Sequence, residues 1–254
     1  MNYSAFGELV QTMDRAGYDY KKEMAGFKKI DPAQLTLQDH VRAMIYAQLS
    51  NNRPWKRIQE NIDNGKIPAI FCNFDIAQLK SADPELLVQG LQAIRCGNRQ
   101  IRKQMNALKD NIAVLERIDR DHGSIHNYYS TKKAQDLVKE LSLFYSKNKL
   151  KCMGVPLVCE YLKGVGIGVV KPDVHLRRII GRLGYSRNKP ADEWETIAIC
   201  DKIAAEYNRP HYEVDSILWQ YCADGKFTVC GATPNCQKCG VANCPNRCNR
   251  TTSP

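Results

Sequence analysis

"LKGVGIGVVKPDVH", residues Leu162 to His175, is the stretch on which the fold turns. It opens as a glycine-rich backbone turn and closes on a carboxylate, Asp173, placed to start a helix. Either the glycines grip a phosphate with an acid just behind them, or one helix ends here and another begins. A phosphate-binding hairpin needs a helix directly after its turn, because the first N–H groups of that helix and its dipole hold the anion. Asp173 follows Gly166 by only seven positions, and "VVKP" fills the last of them. No such helix fits.

"LKCMGVP", Leu150 to Pro156, meets the requirement better. Pro156 falls where a first helical turn tolerates proline, and "PLVCEYLK" supplies two apolar-faced turns. Gly164 is the expected stop of that helix. The hairpin is therefore placed at Leu150–Pro156. "GVGIGVV" becomes the exit from its second helix, and Asp173 the opening of the next.

Helical spacing runs through nearly the whole chain. Ile101, Met105, Leu108, Ile112, Leu115 and Ile118 recur every three or four residues and predict one long amphipathic helix. Similar spacing predicts helices over Val41–Leu49, Ala134–Phe144, Val174–Leu183, Trp194–Ile203 and Val214–Tyr221. "SADPEL" and "KPADEW" carry helix-start chemistry. Alternating strand patterns are missing, so the expected class is all-α with a cysteine-rich, loop-like tail.

The 254 residues include 37 Lys and Arg against 27 Asp and Glu, a net +10. That excess favours a polyanionic partner, since each cation set against phosphate releases condensed counterions. No stretch is long and apolar enough for a membrane span. The N-terminus shows no secretory pattern. A cytoplasmic, nucleoid-associated protein without a membrane partner is expected.

The series of hairpin, short helix, loop and "DVHLRR" resembles the helix-hairpin-helix DNA glycosylase superfamily, the group that includes endonuclease III and the adenine glycosylases. Asp173 lies 17 residues past Pro156, which stands at the hairpin's catalytic-lysine position. "MIYAQLSNNRPW", Met44 to Trp55, resembles the family helix whose terminal glutamine enters the DNA stack, here Gln48. "LLVQGLQAIRCGNRQIRKQMNAL" is similar to the stretch leading into the family's longest helix. The resemblance covers nearly the whole chain. It implies a monomeric two-lobed helical protein acting on double-stranded DNA that carries a damaged or mismatched base. Its central domain would be 30–168, and its second domain 1–29 with 169–254.

Asp173 is the expected catalytic residue: a carboxylate beneath the sugar can stabilise an oxocarbenium-like state and direct water. The plain alternative is an ordinary helix N-cap, and both can hold together. Gln48 would fill the void left by an extruded base, or else be a helix-end polar residue facing water. Lys151, Cys152, Gly154 and Pro156 of the hairpin, with Arg178, are the other expected DNA contacts. His175 and Arg178 could brace the site, or be a buried histidine and a surface arginine. Lys149, Lys151 and Lys163 are phosphate contacts or solvated charges. Pro156 has no nucleophile, which implies hydrolysis by water without strong lyase activity. Ala43 stands where the adenine glycosylases carry a glutamate, a departure that argues against their chemistry. Trp55, Tyr46 and Tyr161 could stack on a base or belong to the core. Two competing readings are a non-enzymatic DNA-binding protein and a bifunctional lyase.

The tail reads C-x5-C-x2-C-x4-C over Cys230, Cys236, Cys239 and Cys244, with Cys248 beyond. Several family members end in the slightly longer C-x6-C-x2-C-x5-C that binds a [4Fe-4S] cluster. Four thiolates on a short loop suit that cluster and also suit zinc. Cys236, Cys239, Cys244 and Cys248 form a rival set. Cys72, Cys96 and Cys200 are expected to be small buried apolar residues.

Overall fold

The computed structural model describes residues 2–24 and 30–248. Residues 1, 25–29 and 249–254, which belong to the expected second domain, lie outside them. The described residues form α-helices, short 3-10 turns and loops, with no strand. None of the helices is long and apolar enough to cross a membrane. The chain divides into one unit of Asp31–Ile167 and another of Met1–Ile30 with Gly168–Pro254.

The first unit carries ten helices among its described residues: α2 (Leu37–Leu49), α3 (Trp55–Asp63), α4 (Lys66–Ile70), α5 (Ile76–Ser81), α6 (Pro84–Ala93), α7 (Ile101–Asn106), α8 (Leu108–His122), α9 (Ile125–Ser130), α10 (Ala134–Ser142) and α11 (Val155–Gly164). The second carries α1 (Ser4–Arg15), α12 (Val174–Arg182), α13 (Glu193–Glu206) and α14 (His211–Cys222).

Local chemistry explains most helix starts. Thr36 and Asp39 form a reciprocal capping box at α2. Asp83 caps α6 with Pro84 in the first turn, and Asp192 caps α13. The single helix expected over Ile101–Ile118 is two, separated at Ala107. Its apolar stripe nevertheless stays buried from Ile101 to Ile118. Periodicity reports which way residues face, not whether the hydrogen-bond ladder is continuous. Helix α11 ends at Gly164 as expected, but another glycine shapes its exit. Gly166, at φ +81°, donates to Lys163 O at 3.1 Å, and Ile167 donates to Leu162 O at 2.9 Å. These two bonds make a Schellman motif, so Gly166 rather than Gly164 supplies the left-handed residue. Gly164 faces α2, where a Cβ would meet that of Ala43 at 3.7 Å, an ordinary contact.

Helices α2 and α11 enclose a buried polar chain. His40 Nδ1 lies 2.8 Å from the Tyr161 hydroxyl, which lies 3.0 Å from that of Tyr129. Tyr161 is therefore core, not a base-stacking surface. Burial pushes the His40 pKa down to about 4, with a weaker opposing pull from Asp39. The unfolded histidine takes up a proton near pH 6.5 while the folded one resists it. Stability from this site is complete above pH 6.5 and declines as pH falls toward 4, by about 3 kcal/mol in total. Urea unfolding between pH 7 and pH 4 should show this decline in the native protein and a shallower one in His40→Phe.

In the second unit, the N-terminal helix is tied to distant chain. Phe6 N–H donates to the Tyr185 hydroxyl, and Gly7 N–H to that of Tyr207. Ala242 N–H donates to Glu8 at 2.7 Å, and a Cβ on Gly240 would overlap the Thr12 hydroxyl. The cysteine-rich tail thus packs directly on α1.

Candidate nucleic-acid interface and cysteine loop

The 150–156 turn is built from both sides. Leu150 and Met153 are fully buried and form its floor. Cys152 takes φ +58°, the left-handed conformation that a tight turn demands and that glycine adopts at least cost. From α8, buried Asn111 accepts the Lys151 N–H at 2.6 Å and donates to the Lys151 carbonyl at 3.0 Å. Lys149 donates to the Met153 carbonyl at 2.6 Å, and burial lowers its pKa. Lys151 pairs with Asp110 at 2.6 Å. Lys163 pairs with Glu160 at 3.1 Å and its side chain is only 10% exposed. Of the two readings for Lys149 and Lys163, phosphate contact or solvated charge, the second does not hold, because each is drawn to an oxygen of its own unit.

Helix α11 leaves this turn without a side-chain cap, and Pro156 stands in its first turn. Gly154 has φ −81°, and a Cβ there would meet nothing nearer than Pro156 Cδ at 3.9 Å. Neither backbone angle nor packing requires glycine at that point.

Gln48 does not reach the surface as a wedge would. It is fully buried in the last turn of α2, and both amide atoms lack hydrogen-bond partners among the described residues. Its carbonyl accepts from Asn98 at 3.0 Å, and Asn98 also donates to Gln104. The loop carrying Asn98 covers this end of α2. Beyond it, an open cavity of about 390 Å³ is lined by Arg53, Lys56, Arg57 and Arg95, with Glu60 as its one carboxylate. The run "NNRPWKR" holds three of these four cations; Arg95 joins them only through folding. Trp55 is 39% exposed, while Tyr46 packs edge-on against Phe74.

In the other unit, Asp173 caps α12. Its Oδ1 accepts from the amides of His175 at 2.8 Å and Leu176 at 3.1 Å. The residue is half-buried, and Oδ2 has no bonded partner among the described residues. His175 packs edge-on to Trp219 with Nδ1 buried and unpartnered. Arg178 is half-buried, and its positive charge acts to lower the pKa of the Cys222 and Cys230 thiols.

The far end of α12 organises the tail. Arg182 donates to the carbonyls of Cys230 at 3.1 Å, Gly231 at 2.6 Å and Ala232 at 3.2 Å. The Arg182 carbonyl accepts from Cys244 and Asn246. Cys230, Cys236, Cys239 and Cys244 all line one cavity with Tyr221 and Arg182. Within it, the Tyr221 hydroxyl donates to Cys239 Sγ at 3.6 Å. Cys236 and Cys248 are joined in a disulfide, and no three His, Cys, Asp or Glu among the described residues are grouped as metal ligands. Buried Cys222, unremarked in the sequence, donates to Cys230. That bond, with Arg182 and against burial, brings the Cys230 thiol down to about 6. The donor chemistry and the shared cavity suit a thiolate-bound group, provided Cys236 is reduced. Cys96 and Cys200 are buried as expected; Cys72 is only half-buried.

Comparison with family models, curated proteins and solved structures finds no match for this chain.

Replacing Asn111 by Ala leaves the Lys151 N–H and C=O without their buried partner. Asn111→Ala should cost about 1–3 kcal/mol in urea-unfolding stability and raise amide exchange at residues 150–154.

Proposed function

We propose that the chain is a monofunctional DNA glycosylase, which extrudes a damaged or mismatched base and hydrolyses its N-glycosidic bond. The observation that carries this reading is the bonding of Asp173. One oxygen is held by two backbone amides, and the other has no partner among the described residues. A carboxylate fixed in direction by its cap, yet with a lone oxygen to offer, suits stabilisation of positive charge on a deoxyribose and orientation of water.

The 150–156 turn supports the DNA half of the reading. Uncapped amides at the start of α11 and open space over Gly154 would let a phosphate approach the backbone closely. Arg53, Lys56, Arg57 and Arg95 add a second cationic surface in the same unit. The residues around the turn also favour hydrolysis over a Schiff base. Pro156 has no amine, Lys149 is bonded to Met153, and Lys163 is paired and nearly buried. With Gln48 buried, we do not assign it the wedge role.

Asp173→Asn should retain the helix cap, since asparagine caps about as well as aspartate. Its melting temperature should match the native protein, while single-turnover release of free base from a panel of lesion-bearing duplexes should fall by at least a hundredfold. Equal base release by the two proteins removes Asp173 from the chemistry.

The tail is proposed to hold a [4Fe-4S] cluster through Cys230, Cys236, Cys239 and Cys244, with zinc as the alternative occupant of the same thiols. The cluster would act structurally, holding the loop that Arg182 grips. Iron and acid-labile sulfide measured on anaerobically purified protein should approach four of each per chain. They should persist in Cys248→Ser and vanish in Cys239→Ser. Zinc at one per chain would select the other metal, and retention of iron in Cys239→Ser would overturn the ligand set.

A further inference from the structure

The segment Ser142–Lys149, between α10 and the 150–156 turn, was expected to end a helix at Phe144. Instead Phe144 and Tyr145 are 89% and 74% exposed, the two most exposed large hydrophobic side chains among the described residues. They are not on a loose strand of chain. Ser146 N–H donates to the Leu143 carbonyl at 3.1 Å, which makes Phe144 and Tyr145 the two central residues of a β-turn. Those positions ordinarily go to Gly, Pro, Asn, Asp or Ser.

The turn is pinned on every side. Leu150 N–H donates to the Leu141 carbonyl at 2.9 Å and closes the loop at its base. Lys149 N–H donates to the Ser146 carbonyl at 3.2 Å, and Asn148 N–H to the Ser146 hydroxyl at 3.2 Å. Asn148 is buried; its amide donates to the Tyr128 hydroxyl at 2.7 Å, and it accepts from Arg117 at 2.8 Å. Arg117 also donates to the Lys147 carbonyl at 2.7 Å. The two rings stand edge to face, 5.5 Å apart, at the tip of this frame.

A folded chain gains nothing by holding two aromatic rings rigidly in water, so such a display points to a ligand with flat apolar faces. Charge narrows the class. Between Glu140 and Glu160 there is no acidic residue; Lys147 follows the rings, and beyond it stand Lys149, held on the Met153 carbonyl, and Lys151, in a solvent-exposed pair with Asp110. The loop also ends on Leu150, the first residue of the turn proposed to bind phosphate. The complement of rings beside a basic segment is flat faces on an anionic backbone, which describes nucleobases on a DNA strand.

We propose that Phe144 and Tyr145 form a stacking platform for an unpaired base of DNA. This assignment rests on the DNA-binding part of the proposed function and not on base excision. It also supplies, in the same unit, an exposed planar group of the kind that buried Gln48 does not offer.

The test uses the full chain and reads binding, not base release. Because both side chains are exposed, Phe144→Ala/Tyr145→Ala should melt with the native protein. Fluorescence anisotropy would compare two labelled duplexes of one sequence, one fully paired and one with a single unpaired thymine. The double variant should lose about 5- to 100-fold in affinity for the unpaired-base duplex and less than twofold for the paired one. Phe144→Trp/Tyr145→Phe, which keeps two stacking rings, should retain native affinity for both. Equal loss on both duplexes would make the loop a plain backbone contact and overturn the proposal. So would unchanged DNA affinity, including the case in which sedimentation shows that the substitutions dissolve a native self-association. A protein that discriminates the duplexes through these rings yet releases no base would retain the platform and lose only the glycosylase reading.

Discussion

Helix α12 links the two chemical features of its unit through its own backbone. At its first turn the free amides are taken by Asp173, and at its last turn Arg182 reaches three successive carbonyls of the tail. A nine-residue helix is too short to be stable alone in water. Its position depends on these end contacts and on the burial of Leu176, Ile179 and Ile180. The direction of the Asp173 carboxylate and the shape of the cysteine cavity are therefore consequences of one element being held at both ends. Any group bound by the cysteines would brace the same helix that orients the acid.

The other unit uses a different device. Its 150–156 turn is held by side chains that satisfy backbone groups: Asn111 at Lys151, Lys149 at Met153, and Asn148 with Arg117 in the loop just before. Each of these bonds stiffens exposed chain without covering its outer face. Rigidity gained in this way lowers the ordering cost of binding a ligand. It also leaves the uncapped start of α11, Gly154 and the Phe144–Tyr145 pair presented together on consecutive chain.

Several of these features were readable from residues alone. A turn leading into a helix is legible at Leu150–Pro156, because Pro156 can open a helix and the glycines at 164–168 leave no room for one. Asp173, Asp83 and Asp192 were recognisable as caps because capping involves only residues two or three positions away. Other assignments depended on what lies opposite a helix face. Phe144 continues the apolar spacing of α10, yet the backbone turns away at Leu143 and leaves the ring 89% exposed, with its neighbour Tyr145 edge-on to it. Gln48 looks like a polar helix end, yet Asn98, fifty residues on, closes over it.

The sequence by itself determined the all-helical class, most helix positions, the place of the phosphate-binding candidate and the grouping of the tail cysteines. These follow from hydrogen bonds and side-chain periodicity within a few residues of each other. Tertiary structure alone decided which side chains are open to a ligand. It buried Gln48 and Tyr161, tied Lys149 and Lys163 to local oxygens, joined Cys236 to Cys248, brought Cys222 against Cys230, and set Phe144 and Tyr145 in water. The two lysine contacts are local, but the burial of Gln48 and Tyr161 is set by groups distant along the chain, Asn98 and His40, which no local spacing encodes.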